Sequence, residues 1–155
     1  MVGETMTWKD IFTVGFALVG VALGIFNTVK NYLETRVKLR VKPALAQHSH
    51  GGGPMVAIEI INLSRFSVTI KEVGFTIGNT KIDNSERSAI LNPIIIDGGN
   101  WPRRLDTGEA VTVYCGFETL SGNIGQAYAR TASDETAYGT SPVLNQIKEL
   151  INQSI

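Results

Sequence analysis

The run IFTVGFALVGVALGIFNTV, from Ile11 to Val29, holds nineteen residues without a charge, and it limits the fold more than any other feature of the chain. As a helix rising about 1.5 Å per residue it comes close to the roughly 30 Å of bilayer hydrocarbon. It predicts a transmembrane helix. A buried core helix is the competing reading, but 155 residues build a core too small to surround a helix that is apolar on every side. A secretory signal peptide would open on a basic segment, whereas Glu4, Lys9 and Asp10 roughly cancel, and no small-x-small cleavage site follows the run directly. Ala44-Leu45-Ala46 has that shape but lies beyond five basic residues. The helix is therefore expected to be retained, with residues 1–36 forming a membrane unit and basic stem ahead of a domain at 37–155.

Charge beside the helix sets the expected orientation. Lys30, Arg36, Lys38, Arg40 and Lys42 follow it with only Glu34 opposing, against Lys9 alone ahead of it. The positive-inside bias of a bacterial-type inner membrane then puts the C-terminal domain in the cytoplasm, with a virus particle as the alternative location. These five cations are also candidate contacts to anionic lipid headgroups, each worth on the order of 1 kcal/mol near the surface. Within the helix, Thr13, Ala17, Gly20, Gly24 and Asn27 recur at steps of four and three, so one stripe is small or polar. Gly20 and Gly24 have the GxxxG spacing that lets two backbones approach to van der Waals contact. The stripe is a candidate contact with a second copy of the chain or with another membrane subunit.

The chain carries 14 basic and 14 acidic residues, and beyond Lys42 the balance is eight to eleven. That domain lacks the basic field of a nucleic-acid binder. Cys115 is the only cysteine, which excludes a disulfide-stapled scaffold.

From Val37 the period changes to two: Val37, Leu39 and Val41 alternate with Lys38, Arg40 and Lys42, the pattern of a half-buried strand. Residues 48–54 form a glycine-rich loop. Val56, Ile58 and Ile60 give a second strand, and Asn62-Leu63-Ser64 turns the chain into a third, with Phe66, Val68 and Ile70 inward. At Lys71-Glu72 the alternation slips before Val73, Phe75 and Ile77, which calls for a bulge or a change of sheet. Ala89 to Ile96 is apolar apart from Asn92, and Pro93 confines it to a strand start or an edge. Asp97-Gly98-Gly99-Asn100 and Asp106-Thr107-Gly108-Glu109 are turns. Val111, Val113, Cys115 and Phe117 make the cleanest alternating strand, and 127–130 with 136–138 a hairpin. A helix over 141–152 follows, capped by Ser141 and opened by Pro142, with Val143, Leu144, Ile147, Leu150 and Ile151 on one face. That face is expected to dock on the domain's own sheet. The expected fold is mainly β: an antiparallel immunoglobulin-like sandwich preceded by one transmembrane helix and followed by a short C-terminal helix.

Trp8 and Asp10 before the apolar run, Lys38-Leu39-Arg40-Val41, Ile60 to Ile70 leading to Val73-Gly74-Phe75, and Leu105-Asp106-Thr107-Gly108-Glu109 together resemble a broad group of uncharacterised bacterial and prophage proteins. Those join one membrane helix to a small immunoglobulin-like sandwich. Ser64, Phe66 and Thr107 stand where that group has glycine, proline and proline. The resemblance implies architecture and no activity.

No catalytic constellation emerges. His48 and His50 are the only histidines, and two imidazoles fall short of the three or four ligands of a zinc site. No G-x-S-x-G or phosphate loop is present, and Asp134-Glu135 and Asp106 with Glu109 read as solvated turn residues. Asn62-Leu63-Ser64 matches a glycosylation acceptor, which has no meaning in a cytoplasmic bacterial domain. Trp101, Arg103 and Arg104 form the one basic-aromatic cluster and are candidate partner contacts. No cofactor, metal, nucleic acid or small-molecule substrate is expected. The expected protein is a non-enzymatic single-pass tether working through membrane lipid and protein contacts within a membrane-associated assembly, with a structural protein of a virus or phage particle or an accessory subunit of a larger membrane enzyme complex as alternatives.

Overall fold

The computed structural model describes residues 7–47, 53–78, 87–120 and 123–153; His48 and His50 lie outside them. The chain divides into two compact units, Met1–Arg36 and Val37–Ile155.

The first unit is helix α1, Trp8–Glu34. Thr7 starts it in extended conformation: its backbone N–H donates to Asp10 Oδ2 at 2.9 Å, while Asp10 N–H donates to the Thr7 carbonyl at 3.0 Å. This reciprocal arrangement satisfies N–H groups that have no partner within the helix. Its 27 residues extend about 40 Å at 1.5 Å each. None is buried.

The second unit is the sandwich. Strands β1 (Leu39–Gln47), β2 (Pro54–Asn62), β3 (Val68–Ile77), β4 (Arg87–Ala89), β5 (Arg103–Leu105), β6 (Ala110–Gly116), β7 (Ile124–Thr131) and β8 (Thr136–Gly139) precede helix α2, Val143–Gln153. One sheet runs β1-β2-β6 and the other β4-β3-β7-β8, all antiparallel, with β5 also on β3. This is the immunoglobulin-like order, and the position of a fourth strand beside β6 is taken by a single bridge between Ile94 and Tyr114.

Alternation decides the burial. Val41, Ile60 and Val111 stand side by side, as do Ile58 and Val113, and all five face inward. Val68, Ile70, Val73, Phe75, Ile124, Ala127 and Ala129 meet them from the other sheet. The slip at Lys71-Glu72 is a β-bulge: Ile70 pairs with Thr131 and Glu72 with Arg130, so Lys71 is the extra residue and Val73 and Phe75 return to the core face. Pro43 is tolerated because β1 is an edge strand. The close approach of β8 to β1 requires Gly139, where a Cβ would collide with the Val41 carbonyl oxygen. Helix α2 docks on the sandwich through Leu144, Ile147 and Ile151, all within the core cluster. Its cap is Ser141, whose Oγ accepts from Val143 N–H at 3.3 Å.

Three local expectations change. The first strand begins at Leu39, with Val37 outside it. The turn after β2 carries the chain into the opposite sheet, and Phe66, expected inward on the third strand, sits exposed in that turn. Phe117 leaves β6 for a 3-10 turn over Phe117–Thr119. The core of the sandwich stays buried in each case, because the crossover and the 3-10 turn lie at its ends.

Candidate functional site

The small-residue stripe is continuous on α1. Thr13, Ala17, Gly20, Gly24 and Asn27 are all exposed, and a Cβ added at Gly20 or Gly24 would meet nothing within 4 Å. Thr13 and Thr28 donate their hydroxyls back to the Lys9 and Gly24 carbonyls, each at 2.8 Å, which hides both groups within the helix. Around the stripe Phe12, Phe16, Leu18, Leu23, Ile25 and Phe26 are each more than 60% exposed. The helix is long and apolar enough to cross a membrane.

The cations of the stem divide into two groups. Lys30 is exposed on α1, and Arg36, just past its end, lies over the Tyr32 ring at 4.6 Å. Lys38, Arg40 and Lys42 follow the strand period and project away from the core; Lys42 stands opposite Glu59.

The three residues of the Trp101 cluster do not act together. Trp101 is half-buried against the core, and its indole N–H donates to the Lys71 carbonyl at 3.1 Å. Lys71 is the bulge residue, so the indole supplies a donor where the ladder is broken. Arg103 donates to Asp97 Oδ2 at 2.9 Å and lies 3.7 Å from Glu109. Only Arg104 stays outward, 74% exposed and 3.9 Å from Asp106. The first two side chains hold the fold, and of the three only Arg104 is exposed.

Two polar arrangements are not visible in the sequence. Asn62 and Ser64 are buried, and the Asn62 amide donates to the carbonyls of Phe66 at 2.8 Å, Leu105 at 3.0 Å and Asp106 at 3.2 Å. The acceptor motif at 62–64 is thus a structural knot joining two turns. On the outer face of β3 and β7, the fully buried Tyr128 donates to Glu72 Oε1 at 2.6 Å, and Arg130 lies 3.7 Å from Glu72. Burial first, and then the bond to Glu72, push the Tyr128 phenol well above its ordinary range. Alternation places these residues on one face, but only the strand register brings them together.

Cys115 points to the core, and burial raises its thiol to about 11. Beside it lies an open depression of about 290 Å³ lined by Ile90, Leu91, Ile94, Glu118 and Thr119. Leu91, Ile94 and Ile96 are exposed along that segment. Among the described residues no group of three or more His, Cys, Asp or Glu side chains could hold a metal. No protein-family model matches the chain, and no curated protein matches it in sequence.

Proposed function

We propose that this chain is a non-enzymatic, single-pass membrane tether whose sandwich makes protein contacts within a membrane-associated assembly. One observation carries the reading: a helix of 27 residues, uncharged from Ile11 to Val29, presents none of its apolar side chains to a core of its own. Water is a poor solvent for such a surface, and lipid or another apolar helix is a good one. The Gly20–Gly24 stripe supports helix association, and the excess of cations after the helix supports a cytoplasmic sandwich at an inner membrane.

The test is cell fractionation followed by crosslinking. The full-length protein should stay with membranes through an alkaline wash, and mild-detergent purification should return a crosslinkable complex. Replacing Gly20 and Gly24 by leucine should weaken that complex. Release by alkaline wash would refute the tether, and an unaltered monomer in every variant would refute the assembly. Co-elution with a large membrane enzyme would favour the accessory-subunit alternative instead.

A further inference from the structure

One end of the sandwich shows apolar side chains that its core does not use. The turn from β2 to β3 exposes Leu63 at 46% and Phe66 at 39%. Its backbone is pinned: Ser64 N–H donates to Asn62 Oδ1 at 2.9 Å, and the Asn62 amide holds the Phe66 carbonyl at 2.8 Å. Leu63 N–H donates to the Lys38 carbonyl and Lys38 N–H to Ser64 Oγ, both at 2.8 Å. A turn fixed this tightly presents Leu63 and Phe66 outward without further ordering, and the cost of binding falls accordingly.

The charges around the pair are mostly basic. Lys38, bonded to the turn through its backbone, Arg65 within the turn, and Arg40, opposite Ile61 on the neighbouring strand, are exposed. The acidic side chains of the neighbouring turn, Asp106 and Glu109, lie 3.9 Å from Arg104 and 3.7 Å from Arg103. A leucine and a phenylalanine set among cations match the boundary between headgroups and acyl chains. Covalent length points the same way: only Thr35, Arg36 and Val37 separate Glu34 from Lys38, and four extended steps span at most about 14 Å. A contact too weak to recruit a free protein becomes effective at such a short tether.

We propose that the Leu63–Phe66 turn is a second membrane contact, inserting Leu63 and Phe66 into the headgroup boundary while Lys38 and Arg40 meet anionic phosphates. This rests on α1 being the membrane anchor. The test uses the full-length chain in vesicles of phosphatidylcholine and phosphatidylglycerol, with the environment-sensitive fluorophore NBD on Phe66→Cys. Leu91→Cys, 86% exposed as leucine in the native chain, is the comparison site, and buried Cys115 stays unlabelled. Vesicle flotation reports the anchor separately. In floated vesicles the probe at 66 should shift to the blue and be quenched by nitroxide lipids more strongly than the probe at 91, and Leu63→Cys should repeat the result. A probe at 66 no more shielded than that at 91 would overturn the contact while leaving the anchor intact. Failure to float would overturn both.

Discussion

Helix α1 and the sandwich draw on the same apolar residue types and place them oppositely. Phe16 in the helix is 75% exposed, whereas Phe75 in β3 is fully buried, and the same contrast holds between Ile25 and Ile58. The sandwich solves the problem of water by alternation, sending every second side chain inward from two sheets. The helix has no polar face with which to do so. What distinguishes the units is where each places its apolar side chains, and each can be tested by disturbing the residue the other tolerates.

The largest contrast lies between those two phenylalanines. Phe75→Ala removes a side chain from the close-packed core and should lower sandwich stability by about 3–5 kcal/mol. Phe16→Ala should leave the sandwich's denaturation midpoint in detergent unchanged. Equal losses at both sites would mean that the helix belongs to the sandwich core.

Glycine gives the second test. Gly139→Ala forces a methyl group onto the Val41 carbonyl oxygen where the two sheets meet, at a cost of about 1–3 kcal/mol. Alanine at Gly20 or Gly24 has open space around it and should not affect thermal unfolding of the sandwich. If the stripe is a helix contact, its effect appears only in crosslinking yield.

Much of this architecture is legible in the sequence because period-two alternation is a local property. The bulge at Lys71 is visible as a slip of phase, the turn at 106–109 as Asp-x-Gly chemistry, and α2 as a capped apolar stripe. What alternation cannot reveal is which strands pair. The Asn62–Ser64 turn is visible as a turn between two strands, but the crossing of the chain to the other sheet there, which leaves Phe66 outside, is not. Strands β4 and β5 have three residues each, too few to show a period. The role of Trp101 depends on a carbonyl thirty positions away that is freed by the bulge, a relation that exists only after folding. The candidate surfaces follow the same rule: the stripe and stem were readable as spacing and charge, whereas the exposed Leu63–Phe66 pair depends on tertiary hydrogen bonds.

Trp101→Phe sharpens that last point at smaller cost. The ring keeps most of its packing, but the Lys71 carbonyl loses its indole donor, for an expected loss of about 1 kcal/mol in chemical denaturation. Restoring Trp in a chain with Lys71 deleted should gain less, since the bulge that frees the carbonyl is then absent. A loss at Trp101→Phe that persists undiminished in the deleted chain would assign the indole to packing alone.

The smallest expected effect separates surface charge from core packing within the sandwich. Lys71 bonds to Asp134, and Arg130 lies 3.3 Å from the same carboxylate; the hydrogen bond first and the cations second hold the Asp134 carboxyl below its ordinary 3.8. A carboxyl lowered in the folded state favours folding fully above its unfolded value, and that contribution disappears as pH falls through the lowered one. Thermal midpoints measured downward from about pH 5 should therefore drop less steeply for Asp134→Asn than for the native chain, with the two curves parallel near neutrality. Because both partners are solvent-exposed, added salt should shrink the difference, whereas the loss in Phe75→Ala should survive it. A salt-independent acid slope at Asp134 would show that the charge belongs energetically to the core, and the division between surface and interior in the sandwich would have to be redrawn around the bulge.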